Sequence, residues 1–196
     1  MRRLVAATAV VVALVAGWST AGQVVAQGSA QADGLDGDPE IQVSYYDVPG
    51  RDARTIREGM NRLGPTDAAD GERVHALTRW NYKWRWRRQG GPQGCATTSP
   101  EVSLRIEVLL PRPAELDQLN PRVRAQWDAY IVALRRHEFG HVRIARAGRD
   151  EIMRSLEGAS CDDAAALAQA ASDKVKAASA LYDRQTRHGR DIGASF

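Results

Sequence analysis

From Val74 the chain alternates in character residue by residue. Val74, Ala76, Thr78, Trp80, Tyr82, Trp84 and Trp86 fall on one face, and His75, Arg79, Lys83, Arg85 and Arg87 on the other. A period of two over this length predicts a strand with one buried face. The segment 101–113 repeats the alternation through Val102, Leu104, Ile106 and Val108 until prolines end it. An earlier strand is predicted over 41–48, where IQVSYYDV alternates and stops at Pro49-Gly50. Between the strands, Ile56, Met60 and Leu63 recur at helical spacing and end at Gly64-Pro65, which predicts a short helix. Beyond the prolines the period becomes helical, with one long helix predicted from about Pro121 to Leu156 and a second from about Asp162 to Thr186. Strands followed by helices predict an α+β fold, a small antiparallel sheet succeeded by long helices.

The first 26 residues read differently. Arg2 and Arg3 precede an uncharged apolar run from Leu4 to Gly17, after which the chain turns small and polar. This is the three-part pattern of a secretory signal peptide, with cleavage expected after Ala26. The apolar run is too short for a membrane span, so no stable span is expected after cleavage, and a secreted or periplasmic location follows. Residues 27–40, polar and rich in Gly and Asp, are expected to form a disordered linker. Residues 41–196 are expected to form one domain.

Charge adds little. The 27 basic residues outnumber the 24 acidic ones, but two arginines leave with the signal peptide, and 27 − 2 = 25 basic residues then face 24 acidic ones. Net charge gives no ground for a nucleic-acid partner. The aromatic strand with its interleaved cations is read as a core face backed by solvated charges and not as a stacking surface. The two cysteines, Cys95 and Cys161, are expected to form a disulfide in an oxidising compartment.

The residues that carry candidate chemistry lie in LRRHEFGHVRI, residues 134–144. At 100° and 1.5 Å per residue, His137 and His141 stand about 40° apart around the helix and about 6 Å apart along it. Both share a sector with Trp127, Tyr130, Ile131, Leu134 and Ala145, with Glu138 at its margin. Two imidazoles and a carboxylate on a core-facing stripe each cost roughly 2 kcal/mol or more to bury without a partner, and a metal ion satisfies all three. Zn2+ takes neutral imidazoles, and a catalytic site leaves a coordination position to water. Glu138 beside the first histidine suits a general base for that water.

Two histidines do not complete such a site. His75 lies on the charged face of a strand, leaving His188 next to Gly189 at the end of the last helix. If the two long helices fold back at Cys161, residues whose numbers add to about 320 stand level, which sets Asp183 beside His137. His188 then overshoots by roughly 7 Å at 1.5 Å per residue unless the helix unwinds before it. His188 is the expected third ligand, and Asp183 its orienting partner or its replacement. Glu151 and Glu157 are weaker candidates.

With these residues in place the chain resembles a bacterial family of unknown function described as predicted secreted zinc-dependent proteases. The landmarks are YYDVPG, Gly64-Pro65, ALTRWNYKW, Cys95, LLPRP, AQWDAYIVALRRHEFGH and YDRQTRHG, in that order. The resemblance implies a zincin-like metalloprotease acting on a peptide or protein substrate, and it favours YDRQTRHG as part of the site. The competing expectation is a non-catalytic cell-envelope binding or scaffolding module with a structural or vestigial zinc site. Glu138 separates the two, since a structural ion has no use for an unligated carboxylate beside it.

Overall fold

A computed structural model of the chain describes residues 34–92 and 94–196. The expected signal peptide lies outside them, and among the described residues no helix is long and apolar enough to cross a membrane. The elements run β1 (Ile41–Val48), α1 (Ala53–Leu63), β2 (Leu77–Gly91), β3 (Gly94–Pro113), α2 (Pro121–Leu156) and α3 (Ala164–Thr186), with short 3-10 turns at Leu116–Gln118 and Arg190–Ile192. The class is α+β.

The sheet is mixed and not antiparallel throughout. Its order is β1-β3-β2, with β3 parallel to β1 and antiparallel to β2. The register explains why. Val48 at the end of β1 pairs with Pro113, and Leu77 at the start of β2 pairs with Leu109, so the connection through α1 returns the chain at the same end of the sheet, two strand positions away. The hairpin at residues 91–94 then lays β3 into that gap, antiparallel to β2 and therefore parallel to β1. A periodicity of two carries no information about such an insertion.

On the inner face of β3, Leu104, Ile106, Val108 and Leu110 are buried against Trp127, Tyr130, Leu134 and Val142 of α2. The inward face of β2 follows the predicted alternation. Tyr82, Trp84 and Trp86 pack on a second cluster formed by Ile152, Leu156, Ala164, Ala168 and Ala171, where α2 turns into α3. The Cys95–Cys161 disulfide, with Cα atoms 5.4 Å apart, ties that turn to the start of β3. Backbone bonds from Thr97 to Ala159 O (2.8 Å) and from Cys161 to Cys95 O (3.0 Å) reinforce it.

α2 begins as its sequence predicts, with the Asn120 side chain accepting from Val123 N at 3.0 Å and Pro121 in the first turn. Of the segment expected as a disordered linker, residues 34–40 pack on the domain. Leu35 is fully buried, and Asp38 and Glu40 receive Arg146 and Arg149 of α2.

Candidate metal centre

α2 and α3 lie antiparallel in the register that places Asp183 level with His137. His137 Nε2 and His141 Nε2 stand 3.1 and 3.0 Å from one oxygen, Asp183 Oδ1, and 3.2 Å from each other. All three residues are buried. Ligands about 2.0–2.1 Å from a tetrahedral ion stand roughly 3.3 Å apart, so the spacing of these atoms fits one small divalent cation. The donor types fit it too, because two neutral imidazoles and a carboxylate are among the ligand sets zinc accepts.

The surrounding residues fix the rings. Ser179 Oγ lies 2.8 Å from His141 Nδ1, and Thr186 Oγ1 lies 3.4 Å from His137 Nδ1. Each histidine thus has a hydroxyl for its other ring nitrogen, leaving Nε2 to face the centre, as second contacts around metal-binding histidines do. Tyr182 stacks on His137 with ring centroids 5.0 Å apart and planes at 12°, and meets His141 edge-on at 5.1 Å. That ring is admitted by Gly140, where a Cβ would lie 2.3 Å from the Tyr182 hydroxyl. The sequence reading missed Ser179, Thr186 and Tyr182. Ser179 was within reach of it, since it is level with His141 in the same register.

Glu138 is buried and is not one of the converging donors. The Thr78 hydroxyl donates to its Oε2 at 2.7 Å. Thr78 is the polar exception on the inward face of β2, and that anomaly was the sequence signal for it.

His188 is not grouped with His137 and His141. α3 ends at Thr186, and Arg187 and His188 both adopt left-handed backbone (φ 48° and 51°), a sparsely populated region for such residues. The chain therefore bends back and corrects the overshoot. Gly189 follows at φ 82°, so close that a Cβ there would lie 3.0 Å from His137 Cγ. His188 Nδ1 reaches 3.6 Å from Asp183 Oδ1, while its Nε2 faces Asp70 (3.6 Å) and Glu72 (3.9 Å). The structure thus brings Asp183 onto the two histidines and sets His188 beside it, in separate groupings with Asp67 and Asp183 and with Asp70 and Glu72. His75 belongs to none of these groupings. Its Nδ1 lies 2.7 Å from Tyr130 Oη and its Nε2 2.8 Å from Asn61 Oδ1. Glu151 pairs with Arg154 at the surface.

Without an ion, the three groups shift one another. Burial pushes the Asp183 carboxyl up, but bonds from His137 and His141 outweigh it and hold the group well below the usual carboxylate range. Burial works against charge on His141, yet the bond to Asp183 and the charge of Glu138 leave its pKa above the ordinary value.

His137, Glu138, His141, Asp183 and His188 line a cleft of about 480 Å³, whose opposite wall is formed by Leu77–Trp80 of β2 and the 67–69 loop. In the order β1-β3-β2, β2 is an edge strand. The arrangement offers a cation position, a carboxylate outside the donor set and an extended backbone along the same cavity.

No curated protein and no solved structure matches the chain. The landmarks of the strands, the α2 histidines and the α3 terminus all fall inside one family model, matched over residues 43–189, and the chain belongs to that family, a bacterial protein family of unknown function, DUF922.

Proposed function

We propose that this chain is a zincin-like, zinc-dependent hydrolase of peptide bonds that acts outside the cytoplasm. The observation that carries the reading is the convergence of His137 Nε2, His141 Nε2 and Asp183 Oδ1 within 3.2 Å of one another, with Glu138 beside them and outside the set. Bound there, zinc supplies a Lewis acid that polarises a carbonyl and makes water a nucleophile near neutral pH. Glu138, held by Thr78, takes the proton of the attacking water and passes it to the departing amine. His188, whose Nδ1 lies 3.6 Å from Asp183 Oδ1, serves the developing oxyanion. An extended peptide pairs with the free edge of β2 along Leu77–Trp80. The disulfide is compatible with an extracytoplasmic location.

A second reading, a non-catalytic envelope module with a structural or vestigial zinc site, is favoured by one observation. Among the described residues, no buried side-chain nitrogen or oxygen lacks a partner, so the set closes on itself without an ion. Elemental analysis of the purified protein and a peptide-hydrolysis assay with and without chelator separate the two. The peptidase reading expects one zinc per chain and chelator-sensitive cleavage, which Glu138→Gln lowers by about 10²- to 10⁴-fold while the zinc stays bound. Zinc without cleavage selects the module. Equal zinc loss in Glu138→Gln and His141→Ala makes Glu138 a ligand.

A further inference from the structure

We infer that a second divalent cation binds beside the first, held by Asp67, Asp183 and His188, which makes the centre, on the zinc reading above, a pair of ions bridged by Asp183. Ligand atoms of these three residues lie within 4.8 Å of one another. Oxygen ligands about 2.1 Å from an ion stand roughly 3.0 Å apart when adjacent and 4.2 Å apart when opposite, so the set closes on an ion with little movement. Asp183 is common to both sets, and a carboxylate has lone pairs for two ions. All three residues line the cleft that contains His137, Glu138 and His141.

The placement of His188 carries the inference. Its Nδ1 stands 3.6 Å from Asp183 Oδ1, too far for a hydrogen bond but between the spacings of adjacent and opposite ligands on one ion. Its Nε2 faces Asp70 at 3.6 Å and Glu72 at 3.9 Å, the arrangement in which an outer carboxylate orients an imidazole whose other nitrogen binds a metal. The charge around it is negative. Arg79 and Lys176 share the cleft, and Arg73 and Arg190 share a neighbouring cavity with Glu72. Among the described residues none of these four is at ion-pair distance from Asp67, Asp70 or Glu72; Lys176 pairs with Asp173 at 3.0 Å, and Arg73 donates to the Gly64 carbonyl at 2.5 Å. The segment 67–72 thus brings three carboxylates to one imidazole. A protonated His188 offsets one of these charges, whereas a divalent ion offsets two. The donors also say which ion. The first set has two imidazoles and one carboxylate, and the second has one imidazole and two carboxylates, a harder set that suits manganese and binds it more weakly than the first binds zinc. A dialysed protein therefore keeps zinc alone. On this inference His188 serves the developing oxyanion through the cation it holds.

The test is titration with Mn2+ of the protein loaded with one equivalent of zinc, followed through the EPR signal of the free aqueous ion, which bound Mn2+ loses. One Mn2+ per chain is expected, with the zinc retained because zinc outcompetes manganese for imidazole. Asp67→Asn keeps an oxygen for the Ala69 N–H that Asp67 accepts at 2.9 Å, and His188→Asn places there a residue that tolerates left-handed backbone. Each is expected to weaken Mn2+ by at least about tenfold and to leave zinc at one per chain. Co2+ in place of zinc is expected to broaden the spectrum of the bound Mn2+, as it does for ions roughly 3.5–4 Å apart. No uptake of Mn2+, uptake that survives Asp67→Asn and His188→Asn, or a spectrum that Co2+ leaves sharp would each overturn the pair. Uptake that survives Asp67→Asn but is lost in the double variant Asp70→Asn, Glu72→Gln would put the ion on the outer carboxylates and overturn the bridge. Failure to take up zinc shows at the loading step and overturns the pair together with the zinc reading. The titration needs no turnover, so the pair and the peptidase fail separately. Mn2+ bound as expected in a protein that cuts no peptide keeps the pair and removes the peptidase, whereas cleavage by a protein that takes up zinc alone does the reverse.

Discussion

The two ends of the α2–α3 hairpin have the same geometry and opposite chemistry. At the turn, Leu156 faces the level of Ala164, and Ile152 that of Ala168, all four fully buried. The helices come so close that a Cβ on Gly148 would lie 2.2 Å from Val175 Cγ2. At the open end the level partners are His137 with Asp183 and His141 with Ser179, buried to a similar degree but polar. Apolar burial at roughly 25 cal/mol per Å² is worth having in any sequence that fills the space. Buried charge is not, because desolvation offsets much of the attraction between the groups. The turn end is therefore the part that fixes the register, and the open end uses that register to gather donors that would not assemble for their own sake.

The largest expected effect attacks the turn. Replacing Cys95 and Cys161 by alanine opens a loop of sequence separation 66 and is expected to cost about 4 kcal/mol on the chain-entropy account, read as a lower denaturant midpoint. If the turn sets the register, zinc affinity falls in the same variant. Stability lost with zinc affinity unchanged would show that the polar end holds itself in place, and would break the comparison.

The next effect lies at the open end. Asp183→Ala is expected to abolish stoichiometric zinc binding, and His188→Ala to weaken activity while the metal stays, as measured by elemental analysis after dialysis. His75→Ala is expected to leave the zinc content unchanged. The opposite pattern, in which His188→Ala strips the metal and Asp183→Ala keeps it, would make the imidazole the third ligand and Asp183 its orienting partner.

The difference between the two ends also explains what the sequence could reveal. The bounds of α2, the inward face of β2 and the level of Asp183 follow from periodicity, caps and the constant rise of a helix, and the disulfide from two cysteines expected in an oxidising compartment, and the structure agrees with each. The place of β1 in the sheet does not follow, because parallel and antiparallel neighbours present the same alternation. Nor does the position of His188, which depends on two consecutive left-handed residues at non-glycine positions. The alternation from Val74 predicts His75 on the charged face of a strand, which in the structure begins only at Leu77. The structure gives both nitrogens of His75 partners from α1 and α2, which a strand pattern cannot report.

A smaller effect is a dependence on pH. In the zinc-free protein, the raised pKa of His141 contributes stability that is full below its unfolded value of 6.5 and is lost as pH rises through the folded value. The depressed pKa of Asp183 contributes stability that is present above 3.8 and is lost as pH falls through its folded value. Without zinc the set thus contributes most between pH 3.8 and 6.5. Zinc needs His141 neutral, so protons compete with it there. The increase in Tm on adding zinc is expected to grow from pH 5.5 to pH 8, and a constant increase would mean that His141 is not a ligand.

The smallest effect sharpens the account of the open end. Ser179 makes no contact with the cation position, and its hydroxyl serves only the far nitrogen of His141, at 2.8 Å. Because a neutral imidazole carries one proton, a partner that accepts it at Nδ1 leaves the Nε2 lone pair for the ion and fixes the plane of the ring. Ser179→Ala removes the acceptor and little volume, so the fold should keep its Tm while zinc affinity falls about 10- to 100-fold, measured by competition with a chelator of known affinity. Ser179→Thr, which restores a hydroxyl at the same level of α3, is expected to recover part of the loss. An alanine variant that binds zinc as the parent does would show that the stacked ring of Tyr182 alone orients the histidines, and Gly140, which admits that ring, would then be the more important residue of the pair.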